Sequence, residues 1–240
     1  MKNAIELNVK IFADGADFEG IKEMYAEPLI KGFTTNPTLM RKAGVEDYKS
    51  FSMKVLKAVP DRPISLEVFA DDFDEMERQA LEIASWGPNV NVKIPVTNTR
   101  GEFSGPLIER LTRKGVVVNV TALLTLGQVR AVTACLADAT PAIVSVFAGR
   151  FADTGRDPVP MMAEAVEILK AKPNAELIWA SPRELLNIFQ ADEIGCHIIT
   201  VTNDILKKLT LVGKDLAEYS LDTVKMFHSD ASKAGYFIPS

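Results

Sequence analysis

Residues 90–96 read V-N-V-K-I-P-V. A β-branched run with polar residues spaced by two is the pattern of a strand whose faces differ in polarity. Lys93 lies on one face, with Val92 and Ile94 on the other. The pattern recurs on both sides: residues 64–69 read I-S-L-E-V-F, residues 116–121 read V-V-V-N-V-T, and residues 142–147 read A-I-V-S-V-F. Glu67, Lys93, Asn119 and Ser145 follow one another at a constant spacing of 26 residues. Four successive units of equal length, each offering one polar residue at similar height, point to repeated strand–helix units.

Extended along the chain, the alternation places strands near 9–12, 32–34, 64–68, 90–94, 116–120, 143–146, 177–179 and 198–201. Helix-period stretches lie between them at 72–85, 105–114, 125–136, 160–170 and 182–191, with a helical C-terminal region over 204–212 and 221–226. Pro160 and Pro182 stand where a helix can begin, because the first turn leaves that N–H without an intrahelical partner. Eight strands, each followed by helix or loop, predict an α/β fold of the (β/α)8 TIM-barrel type. The length of 240 residues suits one such domain spanning 1–240, with the C-terminal helical segment appended. An open doubly wound sheet would carry a glycine-rich phosphate loop after its first strand, and the sequence has none.

In a closed barrel, strand residues point alternately to the interior and to the helix layer, and interior positions at the C-terminal mouth build the active site. Polar residues should therefore gather there. Asp14 follows strand 1, Thr34 and Asn36 end strand 2, and Glu67 and Lys93 lie in strands 3 and 4. Asn119 and Thr121 share a face at the end of strand 5, as do Ser145 and Phe147 at strand 6, with Arg150 beyond; Ser181 and Arg183 follow strand 7. A lysine on an edge strand is commonly a device against aggregation, but a barrel has no edges. Inside a barrel, burial disfavours its charged form and prepares the amine to attack a carbonyl. Glu67 is either its structural ion partner or, with Asp14, an acid/base group. Arg150 and Arg183, with Ser181, suit an anion such as phosphate.

Other features exclude more than they assign. A net charge of -5 argues against nucleic acid as a partner. No apolar run approaches the length of a membrane span or a signal peptide core, which predicts a cytoplasmic protein without membrane association. Cys135 and Cys196 are expected as buried, inert thiols, and His197 and His228 show no metal-ligand spacing. Residues 101–105, G-E-F-S-G, are expected as a surface loop able to reach the mouth.

These residues resemble the transaldolase family in its short, single-domain form, over nearly the whole chain. The resemblance is carried by F-T-T-N-P-T at 33–38 and N-V-K-I-P-V-T at 91–97, supported by N-V-T at 119–121, S-V-F-A-G-R at 145–150 and A-S-P-R at 180–183. It implies a Schiff-base lysine at Lys93, a proton-handling aspartate at Asp14, and an acid/base Glu67 that works on water with Thr121. It further implies hydroxyl-binding Asn36 and Asn119, pocket residues Thr34, Ser145 and Phe147, and a phosphate clamp of Arg150, Ser181 and Arg183. The implied reaction transfers a dihydroxyacetone unit between phosphorylated sugars without metal or organic cofactor, in a protein expected to be a homo-oligomer. The sequence departs from the family pattern at Gly15, where a small hydroxylated residue is more frequent, and at Pro182, where an aromatic is common. The nearest alternative is a fructose-6-phosphate-aldolase-like enzyme that releases free dihydroxyacetone; such enzymes tend to carry Gln and Tyr where this chain has Glu67 and Phe147. Others are transfer on another anionic sugar such as a sulfosugar, and a barrel that binds sugar phosphate without catalysis.

Overall fold

In a computed structural model, which describes residues 6–238, eight parallel strands close into a barrel in chain order. They are β1 Lys10–Asp14, β2 Ile30–Thr34, β3 Ile64–Glu67 and β4 Val90–Pro95, then β5 Val118–Leu123, β6 Ala142–Val146, β7 Ala175–Trp179 and β8 Ile198–Thr202. All eight expected strands are present, with shifted ends. The largest shift is at β5, which begins after Val116 because the preceding helix uses that residue's N–H. Gly115 takes φ +80, and Val116 N donates back to Leu111 O at 3.1 Å, closing the helix in a Schellman-type turn.

The layer around the barrel comprises α1 Phe18–Ala26, α2 Pro37–Lys42, α3 Tyr48–Ala58, α4 Phe73–Ala84, α5 Gly105–Arg113, α6 Leu126–Cys135 and α7 Ala148–Ala152. It continues with α8 Pro158–Leu169, α9 Leu186–Glu193, α10 Asn203–Leu206 and α11 Leu216–Lys233, with a 3-10 turn Lys207–Leu211 after α10. Side-chain caps set many of the starts. Asp17, Asn36, Asp47 and Asp72 each accept a first-turn N–H, and Thr125 and Gln128 form a capping box on α6.

Two expected helix starts are corrected. Pro158, not Pro160, opens α8, because Asp157 caps it by accepting from Val159 N at 2.9 Å. Pro182 opens no helix. Ser181 turns the chain at φ 57, and α9 begins only at Leu186. The intervening N–H groups of Arg183 and Glu184 are taken by the Asn187 side chain.

The strand alternation separates two cores. Outward residues such as Leu66, Val92, Ile94, Val120, Val144 and Trp179 are fully buried against helix residues such as Ala80, Ile108, Val129 and Met162. Inside the barrel, Phe12, Ile143, Ile178, Ala180 and Ile198 form a separate apolar cluster. Gly32 is required opposite Phe12, its register partner: a Cβ there would sit 2.6 Å from the aromatic ring. This apolar plug occupies one part of the interior, and buried Ser65, Lys93, Asn119, Ser145 and Thr200 occupy the remainder.

The last helix is different. No residue of α11 is buried, and Leu216, Leu221, Val224, Met226 and Phe227 are exposed, as are Tyr236, Phe237 and Ile238 beyond it. Among the described residues, no helix is long and apolar enough to cross a membrane.

Candidate active site

The C-terminal ends of the strands surround a cavity of about 470 Å³. Every site residue expected from the sequence lines it except Arg183. Lys93 lies at its base, 6% exposed. Its register partners on the two sides are Glu67 and Asn119, so three of the four residues at 26-residue spacing stand in one row. Ser145 lies further along its strand, since Asn119 pairs in register with Ile143, but its hydroxyl still reaches Asn119.

Lys93 Nζ lies 3.1 Å from Glu67 Oε2 and donates to Thr35 O at 2.8 Å. Both partners keep the amine fixed while leaving it open to the cavity. Asn119 is fully buried and used on both ends: Nδ2 donates to Ser65 Oγ at 3.0 Å, and Oδ1 accepts from Ser145 Oγ at 2.7 Å. Such a braced amide holds its orientation without paying ordering entropy when a ligand arrives.

Asp14 approaches from β1. Its Oδ1 accepts from Thr34 Oγ1 at 2.8 Å. Thr34 Oγ1 is also 2.5 Å from Thr200 Oγ1, and since the Thr34 hydrogen goes to Asp14, Thr200 donates to Thr34. Burial pushes the Asp14 carboxyl above its ordinary range; the Lys93 charge and the Thr34 bond pull the other way, and Glu67 pushes with burial. The site thus holds two carboxyl groups beside one amine, with the Asp14 carboxyl made readier to hold a proton than an ordinary aspartate.

Thr121 contributes a different kind of group. Its Oγ1 is buried without a hydrogen-bond partner among the described residues, and the following residue, Ala122, takes φ 68. The β5–β6 register is interrupted here, so the backbone kinks and presents the hydroxyl to the cavity. Asn36 spends its side-chain oxygen on capping α2, accepting from Leu39 N at 2.9 Å, which leaves its amide N–H groups to offer to a ligand.

At the rim the expected pair of arginines does not assemble. Arg150 lines the cavity beside Ser181, with its guanidinium 5.5 Å from the Phe147 ring centre. Arg183 instead forms a two-pronged pair with Asp153, with Nε at 2.8 Å and Nη2 at 2.5 Å from the carboxylate. The physical reason is competition: a carboxylate at the end of α7 offers the same fork geometry as a phosphate and is always present. The 101–105 loop also stays away from the lining. Thr99 N and Oγ1 both bond Asp71 at 2.7 Å, and Arg100 pairs with Glu102 at 2.9 Å, which folds the segment over the surface.

Two contributors escaped the sequence reading. Thr200 lies in an unremarkable β-branched strand, yet it shares the interior parity of Ile198. Gly149 lies within S-V-F-A-G-R; a Cβ there would fall 1.5 Å from Ser181 O, so only glycine lets the mouth close at this point. Away from the site, Cys196 is buried and its thiol is pushed up to about 12 by burial. His197 is engaged as an acceptor for Leu177 N at 3.1 Å.

Residues 11–237 match the family described as Transaldolase/Fructose-6-phosphate aldolase. The chain belongs to this family. A probable transaldolase of Dehalococcoides mccartyi is 38% identical over 202 residues, 84% of this chain and 90% of that protein. One from Syntrophomonas wolfei is 34% identical over 227 residues, 94% of this chain and 100% of that protein. Family membership and these relatives make the chain a transaldolase-type enzyme. More distant is a solved structure described as a putative lyase/mutase from Burkholderia cenocepacia. It superposes with a TM-score of 0.60 over 98% of this chain and 89% of that one, at 13% identity, which is a likeness of barrel fold alone.

Proposed function

We propose that this transaldolase-family enzyme forms a Schiff base on Lys93 and transfers a dihydroxyacetone unit from a ketose phosphate, sedoheptulose 7-phosphate or fructose 6-phosphate, to an aldose phosphate. The observation that carries the reading is the buried Lys93–Glu67 pair at 3.1 Å, with a second carboxylate, Asp14, in the same cavity. Lys93 gives a proton to Glu67, and the free amine adds to the C2 ketone. Glu67 then protonates the departing hydroxyl, which leaves as water beside the unspent Thr121 hydroxyl, and an iminium remains on Lys93. Asp14 takes the proton of the C4 hydroxyl as the C3–C4 bond breaks. The electron pair flows into the iminium, an enamine remains on the lysine, and the aldose phosphate leaves. An acceptor aldehyde enters, the enamine attacks its carbonyl, and Asp14 returns the proton. Water then releases the new ketose with Glu67 as base. Asn36 and Asn119 are the donors for substrate hydroxyls, Thr34 orients Asp14, and Ser145 and Phe147 shape the wall. Arg150 with Ser181 receives the distal phosphate, and Arg183 stands behind them through Asp153.

Glu67 and Phe147 favour transfer over release of free dihydroxyacetone, because an ionisable carboxylate beside the lysine can shuttle protons in both halves of the cycle. A single rim arginine would also accept a sulfonate, which keeps a sulfosugar as the second reading of the substrate. The exposed apolar face of α11 supports a homo-oligomer in which this arm packs on a second copy.

The test is to incubate the enzyme with fructose 6-phosphate, reduce with borohydride and map the product by peptide mass spectrometry. A three-carbon adduct on Lys93 is expected. An adduct on another lysine, or none, overturns the mechanism. In an unreduced sample, adding erythrose 4-phosphate gives a new ketose, sedoheptulose 7-phosphate, if the enzyme transfers, and no new ketose if it releases.

A further inference from the structure

The Glu67 backbone is held by a side chain that lies outside the cavity. β2 and β3 pair only at Phe33–Ile64 and Thr34–Ser65. Beyond that point β2 turns into α2, with Asn36 as cap and Pro37 in the first turn, so no strand runs beside Glu67 on this side. The last ladder contacts are from Thr35, whose N and Oγ1 both donate to Ser65 O, at 3.3 and 3.0 Å. In an extended residue the N–H and C=O point to the same side. Those of Glu67 face the gap that β2 has left.

Tyr48, the first residue of α3, fills that gap. Glu67 N donates to Tyr48 Oη at 2.8 Å, and Tyr48 Oη donates to Glu67 O at 3.0 Å. One phenol thus stands in for both bonds that a neighbouring strand would make. The ring is fixed in turn, edge-on to Phe69 at 4.6 Å and beside Trp86 at 5.8 Å. Its helix is anchored by the fully buried Val55. Burial also pushes the phenol well above its ordinary pKa, so it keeps its hydrogen throughout the working pH range.

We propose that Tyr48 is a positioning residue: by clamping the Glu67 peptide in place of the missing strand, it sets the distance and angle of the Glu67 carboxylate to the Lys93 amine. The proposal rests on the Schiff-base reading above. Its consequence is that the outer aromatic cluster of Tyr48, Phe69 and Trp86 is mechanically tied to the proton-handling group, whereas Asp14, on β1, takes no part in this clamp.

Tyr48→Phe keeps the ring and removes both bonds. A displacement of about 1 Å in a reacting group can cost on the order of 100-fold in rate, so a fall in kcat of about 10- to 100-fold is expected, with KM changed far less. The deciding comparison is made in a Glu67→Gln background. If Tyr48 acts through Glu67, the Phe substitution has little further effect there; a general loss of structure would lower both backgrounds by the same factor. An undiminished kcat in Tyr48→Phe, or equal losses in the two backgrounds, overturns the proposal. Should Tyr48→Phe not fold at the assay temperature, 3,5-difluorotyrosine at position 48 keeps the hydroxyl but acidifies it. An alkaline fall in kcat/KM that the Glu67→Gln background lacks is then expected, and its absence overturns the proposal. Failure of the underlying reading looks different: wild-type enzyme would then give no borohydride-trapped adduct on Lys93.

Discussion

Asp14 carries the sharpest conflict in the molecule at the scale of a single residue. It is buried beside Glu67, and its carboxyl is raised above the ordinary aspartate value of 3.8 chiefly by desolvation. An acid whose pKa is raised on folding binds its proton more tightly in the folded state. Ionising it therefore costs folding free energy, and the cost grows as pH rises from the unfolded value through the raised folded value. Asp14→Asn removes the cost while keeping the shape. Its thermal midpoint is expected to exceed that of the wild type at pH 7, with the difference shrinking as the pH is lowered and gone near pH 3.8. Transfer activity is lost in the same variant. Melting curves across this range check the sign; a variant less stable than wild type at pH 7 contradicts the burial argument. In the proposed mechanism the raised carboxyl is useful because it takes a proton from a hydroxyl, which a carboxylate of ordinary basicity does poorly.

At the scale of elements, the mouth is closed by a contact between α7 and the turn after β7. Gly149 on α7 meets the carbonyl of Ser181, and the space for a side chain there is already filled by backbone. Gly149→Ala must push the two apart. A loss of stability of about 1–3 kcal/mol is expected, as for overpacking elsewhere, read as a lowered urea midpoint. Because Ser181 and Arg150 flank the contact, affinity for a phosphorylated ligand falls as well. The same segment shows how far sequence alone reaches. The strands were legible because β-branched residues alternate with polar ones, and the lysine row was legible because its spacing repeats. The short helices α1, α2 and α7 were not, since segments of five to nine residues offer too few turns for a period to emerge. Arg183 lies on the expected loop, but its pairing with Asp153 is not legible in the sequence. Its rival for the charge, Asp153, is 30 residues away in sequence, and only the folded chain decides which anion wins. Thr200 was invisible for a related reason: a threonine in a strand is ordinary until its neighbour is a buried aspartate's hydrogen-bond donor.

For the molecule as a whole, the outstanding feature is an 18-residue helix with none of its residues buried. Leu216, Leu221, Val224 and Phe227 would give a soluble monomer an exposed apolar strip that continues through Tyr236 to Ile238. If the strip packs on a second copy, a chain ending before Leu216 is expected to lose assembly while keeping its barrel. Light scattering should then give a mass near 24 kDa against a multiple of 26.3 kDa for the full chain. A full chain that scatters as a monomer sinks that arrangement. The barrel itself does not depend on α11, since the strand–helix core is complete without it.

One further consequence comes from the plug of Phe12, Ile143, Ile178, Ala180 and Ile198. It stops the barrel interior from being a tunnel. Phe12 and Ile143 face a second hollow at the opposite end of the barrel, so they act as a partition between the two. Lys93 then lies at the bottom of a well that the plug closes at its inner end. Under the proposed transfer mechanism, whatever is cut from the donor leaves through the mouth by which the acceptor comes in. On that mechanism the two sugars take turns, and the three-carbon fragment waits alone in the well between one visitor and the next.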